Sequence, residues 1–392
     1  MKIIPDKVDG ITLAREWMIN SGIQNTEGIN RGGFNSWYDT ASGDYSYVYS
    51  EITGYGITTL LFLEKIYSDK EYLKRAIIAA NWLASRAVHS IGGVKTRDYI
   101  QEMEEAHLYS FDSENIYAFD NAMVLYGMVN LYKRTQDKKF LEFSLWMGDF
   151  LVKRLKKDDG SFYAVYNAGT GEKEDRTAKW STQSGSYHAK MALGFIDLFD
   201  ATGISTYGDV AYDLCKWSME QQDFSGRFIT SRADSSTHLH PHCYTAAGLL
   251  YAGLYFGDEG FTRSAVKAMK WALDNVRLDG GIPKMYDGRQ FNRNCRTDIM
   301  AQVLRLGVIL YHKGRLEEAY RRKLDALRKA LLRQQYLGDD SQKGGFFYGA
   351  TLDGIKKKHI NSWCSMFALQ ALIMYQEYLV ENREIEKLEL FV

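Results

Sequence analysis

The chain has 392 residues, 45% hydrophobic and 25% charged, and its 49 basic and 49 acidic side chains cancel to a formal net charge of zero. That balance, with no block of like charge, argues against a nucleic-acid partner, and the lack of any apolar run of about 18 residues argues against a membrane span. With only 3 prolines, long stretches are free to be helical, because proline removes a backbone donor and clashes inside a helix.

In chain order, the first segment, Met1–Gly10, lacks the apolar core of a secretion signal. Cys215, Cys243, Cys295 and Cys364 lie far apart without C-x-x-C spacing. Together these predict free thiols in a reducing, cytoplasmic setting. A pattern then repeats six times. An amphipathic helix comes first, as at Ala14-Arg15-Glu16-Trp17, Ala80-Asn81-Trp82, Leu145-Trp146, Lys216-Trp217, Lys270-Trp271 and Ala330-Leu331-Leu332. A glycine and an apolar residue follow: Gly33-Phe34, Gly93-Val94, Gly160-Ser161-Phe162, Gly226-Arg227-Phe228, Gly281-Ile282 and Gly345-Phe346. After a loop comes a second helix that is apolar nearly all round, as in Ile57–Leu63 and Ala246–Leu254. A helix with one wet side belongs outside, and one apolar on every side must be buried.

Six outer-inner helix pairs filling residues 1–392 predict a single all-α domain, a closed (α/α)6 toroid with short extended segments in the loops before the inner helices. Every glycine loop leads into the N-terminus of an inner helix, so all six loops lie at one mouth of the ring. The helix starts there carry free N–H groups and partial positive charge.

The residues at these starts are polar, ionisable and aromatic, the usual composition of a ligand site above an apolar core. Glu51, Asp120 and Asp298 come from three different loops and are the candidate catalytic carboxylates. Each also has a structural reading: Glu51 as a charge favoured at a helix start, Asp120 as a helix cap, Asp298 as a local ion pair with Arg296. Candidate substrate-binding residues are Tyr49, Tyr55, Trp180, His188, His240, His242, Arg296, Asn361 and Trp363. The aromatic ones offer ring faces to a sugar, or simply cover the core. His188 also reads as a core histidine. His238, His240 and His242 alternate, so on an extended stretch they would point one way, but Pro241 suits a first helical turn and would break that register after His240. A zinc site from these histidines with Cys243 or Cys295 lacks true zinc-ligand spacing, so no metal and no cofactor are expected.

The six-fold pattern resembles the six-hairpin glycosidase superfamily, which includes glycoside hydrolases, unsaturated-glucuronyl hydrolases, sugar 2-epimerases and the toroid domains of polysaccharide lyases and uronyl C5-epimerases. Tyr49-Ser50-Glu51-Ile52-Thr53-Gly54-Tyr55 looks like a segment of proteins from polysaccharide-biosynthesis regions. The resemblance implies a carbohydrate substrate and acid/base chemistry at the mouth, most often hydrolysis by two carboxylates, one protonating the leaving group and one assisting attack. One alternative is a uronate lyase or C5-epimerase using Tyr49, Tyr55, His188, His240, His242 and Arg296. Another is a glycan-binding or scaffolding toroid without catalysis. A terpene cyclase is disfavoured because D-D-x-x-D is absent, and a zinc-dependent lanthionine-cyclase-like toroid would need the cysteines and histidines to hold metal.

Overall fold

The computed structural model describes residues 9–101, 103–176, 179–385 and 391–392. Its helices, in chain order, are α1 (Gly10–Asn20), α2 (Ser50–Tyr67), α3 (Lys70–Trp82), α4 (Ala106–Tyr109), α5 (Ala118–Thr135), α6 (Lys138–Phe150) and α7 (Ala192–Thr202). They continue as α8 (Ser205–Met219), α9 (Leu239–Phe256), α10 (Glu259–Asp274), α11 (Thr297–His312), α12 (Tyr320–Leu332) and α13 (Ser362–Met374). A 3-10 turn over Ser186–Met191 runs directly into α7 and completes the third inner helix. The inner helices are α2, α5, α7, α9, α11 and α13; the outer ones are α1, α3, α6, α8, α10 and α12. This is the all-α (α/α)6 toroid expected from the sequence. Among the described residues no helix is long and apolar enough to cross a membrane.

The two layers form for different reasons. Four outer helices open on an aspartate, Asp9, Asp69, Asp137 or Asp258, whose carboxylate accepts a first-turn N–H. This caps donors that otherwise have no partner in the helix. The inner helices owe their stability to burial: nearly every residue of α9 and α11 is buried, which offsets their poor share of strong helix formers. One hydrophobic cluster draws on both layers all the way round.

The ring closes through its glycine loops. Gly32, Gly92, Gly160, Gly226, Gly280 and Gly344 all have positive φ, between 80° and 119°, a conformation that favours glycine. Each turn abuts the next outer helix: a Cβ on Gly280 would lie 2.0 Å from the Ala326 carbonyl oxygen of α12. The sixth turn returns to the first helix, where a Cβ on Gly344 would lie 2.1 Å from the Leu13 carbonyl oxygen. The following apolar residues, Phe34, Val94, Phe162, Phe228, Ile282 and Phe346, are all fully buried. Short strands sew neighbouring loops together. Val48–Tyr49 pairs with Arg97–Asp98, Asn115–Tyr117 with Val165–Asn167, and Thr237–His238 with Met285–Tyr286. Trp37–Asp39 pairs with Lys356–Asn361 and joins the first unit to the last.

One hydrogen bond recurs in four units and sets how each inner helix is turned. The apolar residue after the loop glycine donates its backbone N–H to the side chain of the helix's fourth residue. The pairs are Phe34 to Thr53 (3.0 Å), Val94 to Asn121 (2.8 Å), Phe228 to His242 (3.2 Å) and Phe346 to Ser365 (2.8 Å). In these four helices the second residue lies about 200° round from the fourth, since an α-helix turns about 100° per residue. It therefore faces the axis of the ring. The six second residues are Glu51, Phe119, Tyr187, His240, Asp298 and Trp363.

Closure of the ring at Gly344 gives a direct test. Gly344→Ala adds a Cβ against the Leu13 backbone at a positive φ, and should cost about 3 kcal/mol or more in urea unfolding. Gly203→Ala, also at positive φ but with nothing within 4 Å, should cost only about 1 kcal/mol.

Candidate active site

The second-residue ring opens into a cavity of about 180 Å³ whose wall includes Glu51, Phe119, Tyr187, His240 and Trp363. Tyr47, Tyr49, Arg97, Tyr109, Tyr117, Asp120, Trp180, Tyr244 and Arg296 complete most of the lining. Aromatic rings therefore face one another around a small set of charged groups.

On one side stand Glu51 and Asp120, from α2 and α5. The Tyr49 hydroxyl is 3.2 Å from Asp120 Oδ1 and also favours the charged form of Glu51. Its single proton can serve only one carboxylate at a time. Asp120 Oδ2 is buried with no partner. Burial, and then the charge of Glu51, push the Asp120 carboxyl well above the usual carboxylate range, against the pull of Arg97. Burial also raises Glu51, while hydrogen bonds from Tyr49 and Tyr55 and the charges of Lys190 and Arg97 oppose the rise. Both carboxyls are thus pushed toward the protonated form. Burial pushes the Tyr49 hydroxyl well above its ordinary value, so it stays protonated.

Arg97 stands beside the pair. The strand pairing of Tyr49 with Arg97 places it there. Its guanidinium carbon lies 4.6, 4.9 and 4.1 Å from the ring centres of Tyr47, Tyr49 and Tyr109, and Nη1 bonds Glu105 at 2.6 Å. Nothing in the sequence pattern marks Arg97, because it lies on a two-residue strand far from any helix start.

Across the mouth, Asp298 is fully buried beneath the lining. Arg296 grips both of its oxygens, with Nε 2.9 Å from Oδ1. His240 Nδ1 lies 2.8 Å from Oδ2, and Trp363 Nε1 donates to the same oxygen at 3.1 Å. Burial works to raise this carboxyl, but Arg296 and His240 hold it well below the usual range. The local ion pair read from the sequence is thus present, and Asp298 orients three lining residues rather than facing the cavity. Burial holds His240 down to about 4, so its ring is neutral. Nδ1–H points at Asp298, which leaves Nε2 as the free acceptor toward the cavity.

Other candidates lie elsewhere. Tyr55 sits one turn below Glu51, with its hydroxyl 3.1 Å from that of Tyr244. His242 is a fourth-position residue: Nδ1 accepts from Phe228 and Nε2 lies 3.0 Å from the Ala268 carbonyl. It belongs to the loop-helix bond of the fold, because α9 begins at Leu239 and ends the extended alternation. His188 is fully buried, with neither ring nitrogen partnered. Asn361 caps α13 by accepting from the Cys364 N–H at 3.0 Å. Cys215, Cys243 and Cys364 are buried free thiols, and Cys295 is part-exposed and also free. Among the described residues no group of three histidine, cysteine or acidic side chains is placed to hold a metal ion.

The fold is that of the six-hairpin glycosidase-like (α/α)6 toroids. It is similar to a cellobiose 2-epimerase from Bacillus thermoamylovorans, with a TM-score of 0.76 and 12% identity, over 93% of this chain and 98% of that one. It is similar to an unsaturated glucuronyl hydrolase from a Bacillus species (TM-score 0.66, 14% identity, 93% and 95% covered). It is also similar to an alpha-1,6-mannanase from a Salegentibacter species (TM-score 0.60, 10% identity, 93% and 98% covered). No family model matches the sequence, and no curated protein matches it.

The Asp298 cluster should show in stability. Asp298→Asn leaves Arg296 buried without a counter-charge and should cost about 3–5 kcal/mol in urea unfolding at neutral pH. A carboxyl held low in the fold contributes stability above its unfolded value, near 3.8, and loses that contribution as pH falls below it. The gap between wild type and Asp298→Asn should therefore narrow as the pH is lowered below about 4.

Proposed function

We propose that the protein is a carbohydrate-active enzyme and that it hydrolyses a glycosidic bond with Glu51 and Asp120. The observation that carries this reading is that Glu51 and Asp120 line one aromatic-walled cavity, with the Tyr49 hydroxyl 3.2 Å from Asp120 Oδ1. Burial raises both carboxyls and the charge of Glu51 raises Asp120 further, so such a pair favours holding one proton. Glycoside hydrolysis needs that division: a carboxylic acid to protonate the leaving oxygen and a carboxylate to act at the anomeric carbon or on water. Asp120, lifted further, supplies the acid. Glu51, stabilised as an anion by Tyr55, Lys190 and Arg97, supplies the carboxylate. The rings of Trp180, Trp363 and Tyr117 supply faces on which sugar C–H groups stack. The similar toroids named above, an epimerase and two hydrolases of sugars, support a carbohydrate as the substrate class.

A second reading, proton abstraction by a uronate lyase or a sugar epimerase, is favoured by His240. Its neutral ring, oriented by Asp298, presents Nε2 as a base, and Arg296 beside it can hold a carboxylate or enolate oxygen. Tyr49 is less suited to that role, since its hydroxyl keeps its proton.

The two readings separate on a panel of neutral and uronic-acid oligosaccharides. Hydrolysis yields new reducing ends; elimination yields a new double bond that absorbs in the ultraviolet; epimerisation yields neither but takes up solvent deuterium. Under the hydrolytic reading, Glu51→Gln should lower kcat by about 10²–10⁴, with an unchanged circular-dichroism spectrum and retained sugar binding. Full activity in Glu51→Gln, with loss in His240→Gln, would transfer the chemistry to the second reading.

A further inference from the structure

We propose that the groove between α12 and the turn after α10, on the outer wall of the ring, is a second glycan-binding site that takes the acidic stretch of a uronate-bearing chain. That the occupant is a glycan rests on the carbohydrate reading given above; that it is acidic rests on the groove itself. The groove has a volume of about 690 Å³. Arg277, Arg322, Lys323, Lys329 and Arg333 line it, against Asp279 and Asp325. The chain as a whole has no net charge, so this excess is local. Most of it arises on α12, where Tyr320–Leu332 carries five basic residues and one acidic one.

Both acids of the groove are already matched. Asp279 pairs with Arg277, whose Nε and Nη2 each lie 3.1 Å from one of its oxygens, and Asp325 pairs with Arg321 at 3.0 Å. Lys323 lies 3.7 Å from Asp274. Arg322 and Lys329 are exposed, and among the described residues neither forms an ion pair. Seven residues apart on a helix, they stand on one face about 10.5 Å from each other. Between them on that face is Ala326, whose small side chain leaves the groove open. None of the described residues that line the groove is aromatic, so a neutral sugar finds no ring to stack on, in contrast to the mouth. A concave site also suits a chain rather than a flat bilayer. At one end the groove meets the mouth. Arg277 Nη1 donates to the Arg293 carbonyl at 3.3 Å and Nη2 lies 3.9 Å from Cys295 Sγ, next to the Arg296 that lines the cavity. A chain with one end in the cavity therefore runs across this loop into the groove, where its carboxylates meet two cations that have no other partner. Cations that merely solvate the outer wall would hold such a chain no better than those of any other outer helix, which separates the two roles.

The test reads binding, not turnover. A fluorescein-labelled oligogalacturonate should bind the protein at low salt, followed by fluorescence anisotropy, and more weakly as salt rises. Arg322→Gln/Lys329→Gln should weaken that binding about tenfold at low salt, with an unchanged urea midpoint. Arg263→Gln/Lys267→Gln removes two exposed cations from the neighbouring α10 and should leave the affinity near that of wild type. No binding to wild type, no loss in the groove variant, or an equal loss in both variants overturns the proposal. So does a labelled neutral cello-oligosaccharide that depends on Arg322 and Lys329 to the same extent. A polyglutamate bound more tightly than the uronate chain would assign the groove to an acidic protein and overturns it too. Loss of turnover in Glu51→Gln stands whether or not the groove binds, and binding in the groove stands whatever reaction the mouth performs, so the two claims fail separately.

Discussion

The bond from the glycine loop to the fourth residue of the inner helix is the constraint on which the site depends. It is a small interaction, one backbone N–H given to a threonine, asparagine, histidine or serine. Its consequence is angular. It ties the outer wall of the helix to the loop, and the second residue then has nowhere to point but the axis. Four different side chains meet the same need because each offers one acceptor within three bonds of its Cα. The glycine with positive φ makes the bond available, by turning the chain sharply enough that the next N–H faces inward. In four of the six units, fold and site are therefore set by one device.

The polar groups at the mouth divide by the side on which they stand. The first and fourth inner helices face each other across the ring, and the Tyr55–Tyr244 contact spans the gap between them. On the first side burial raises both Glu51 and Asp120 and the charge of Glu51 raises Asp120 further, and among the described residues no cation forms an ion pair with either. On the far side Asp298 is gripped by Arg296, and its charge is spent on orienting His240 and Trp363. Two clusters of similar composition thus reach opposite states. Burial is common to both; the difference is a guanidinium held against both oxygens of one carboxylate and not against the other pair.

The sequence made the fold legible because a closed ring repeats its requirements. Glycine before a buried apolar residue, an outer helix with one wet face and an inner helix with none recur at each turn. It also placed Glu51, Asp120, His240, Arg296 and Trp363 at one mouth, since helix order alone brings these starts together. The phase within each start was not legible. Pro241 ends the extended alternation after His240, yet nothing in the pattern marks His242 as the counterpart of Thr53, Asn121 and Ser365. Phe119 and Tyr187 stand at the same second position as Glu51, but neither is charged at neutral pH and nothing in the sequence singles them out. Arg97 reaches the cavity through strand pairing between loops, and Tyr187 through a 3-10 turn in place of a regular helix start. Neither route leaves a periodic trace in the chain.

That difference bears on how a toroid acquires chemistry. The second position of an inner helix is turned to the axis whatever residue occupies it, so its identity is free to vary with the reaction while the fourth position keeps the fold. One turn deeper, at four residues' separation on the same face, stand Tyr55, Met123, Tyr244, Gln302 and Phe367, which support the lining from below. Gln302 lies 3.0 Å from His240 Nδ1, and Tyr55 favours the charged form of Glu51. The second layer therefore adjusts the first, one group on each side of the mouth. A substrate held between the sides meets a proton-sharing carboxyl pair on one face and a neutral, oriented imidazole on the other. In the hydrolytic reading that imidazole accepts a hydroxyl of the sugar and fixes its pose; in the abstraction reading it takes the proton. The same wall supports both, and the group that does the bond-breaking is decided by which side comes nearer to the reacting carbon.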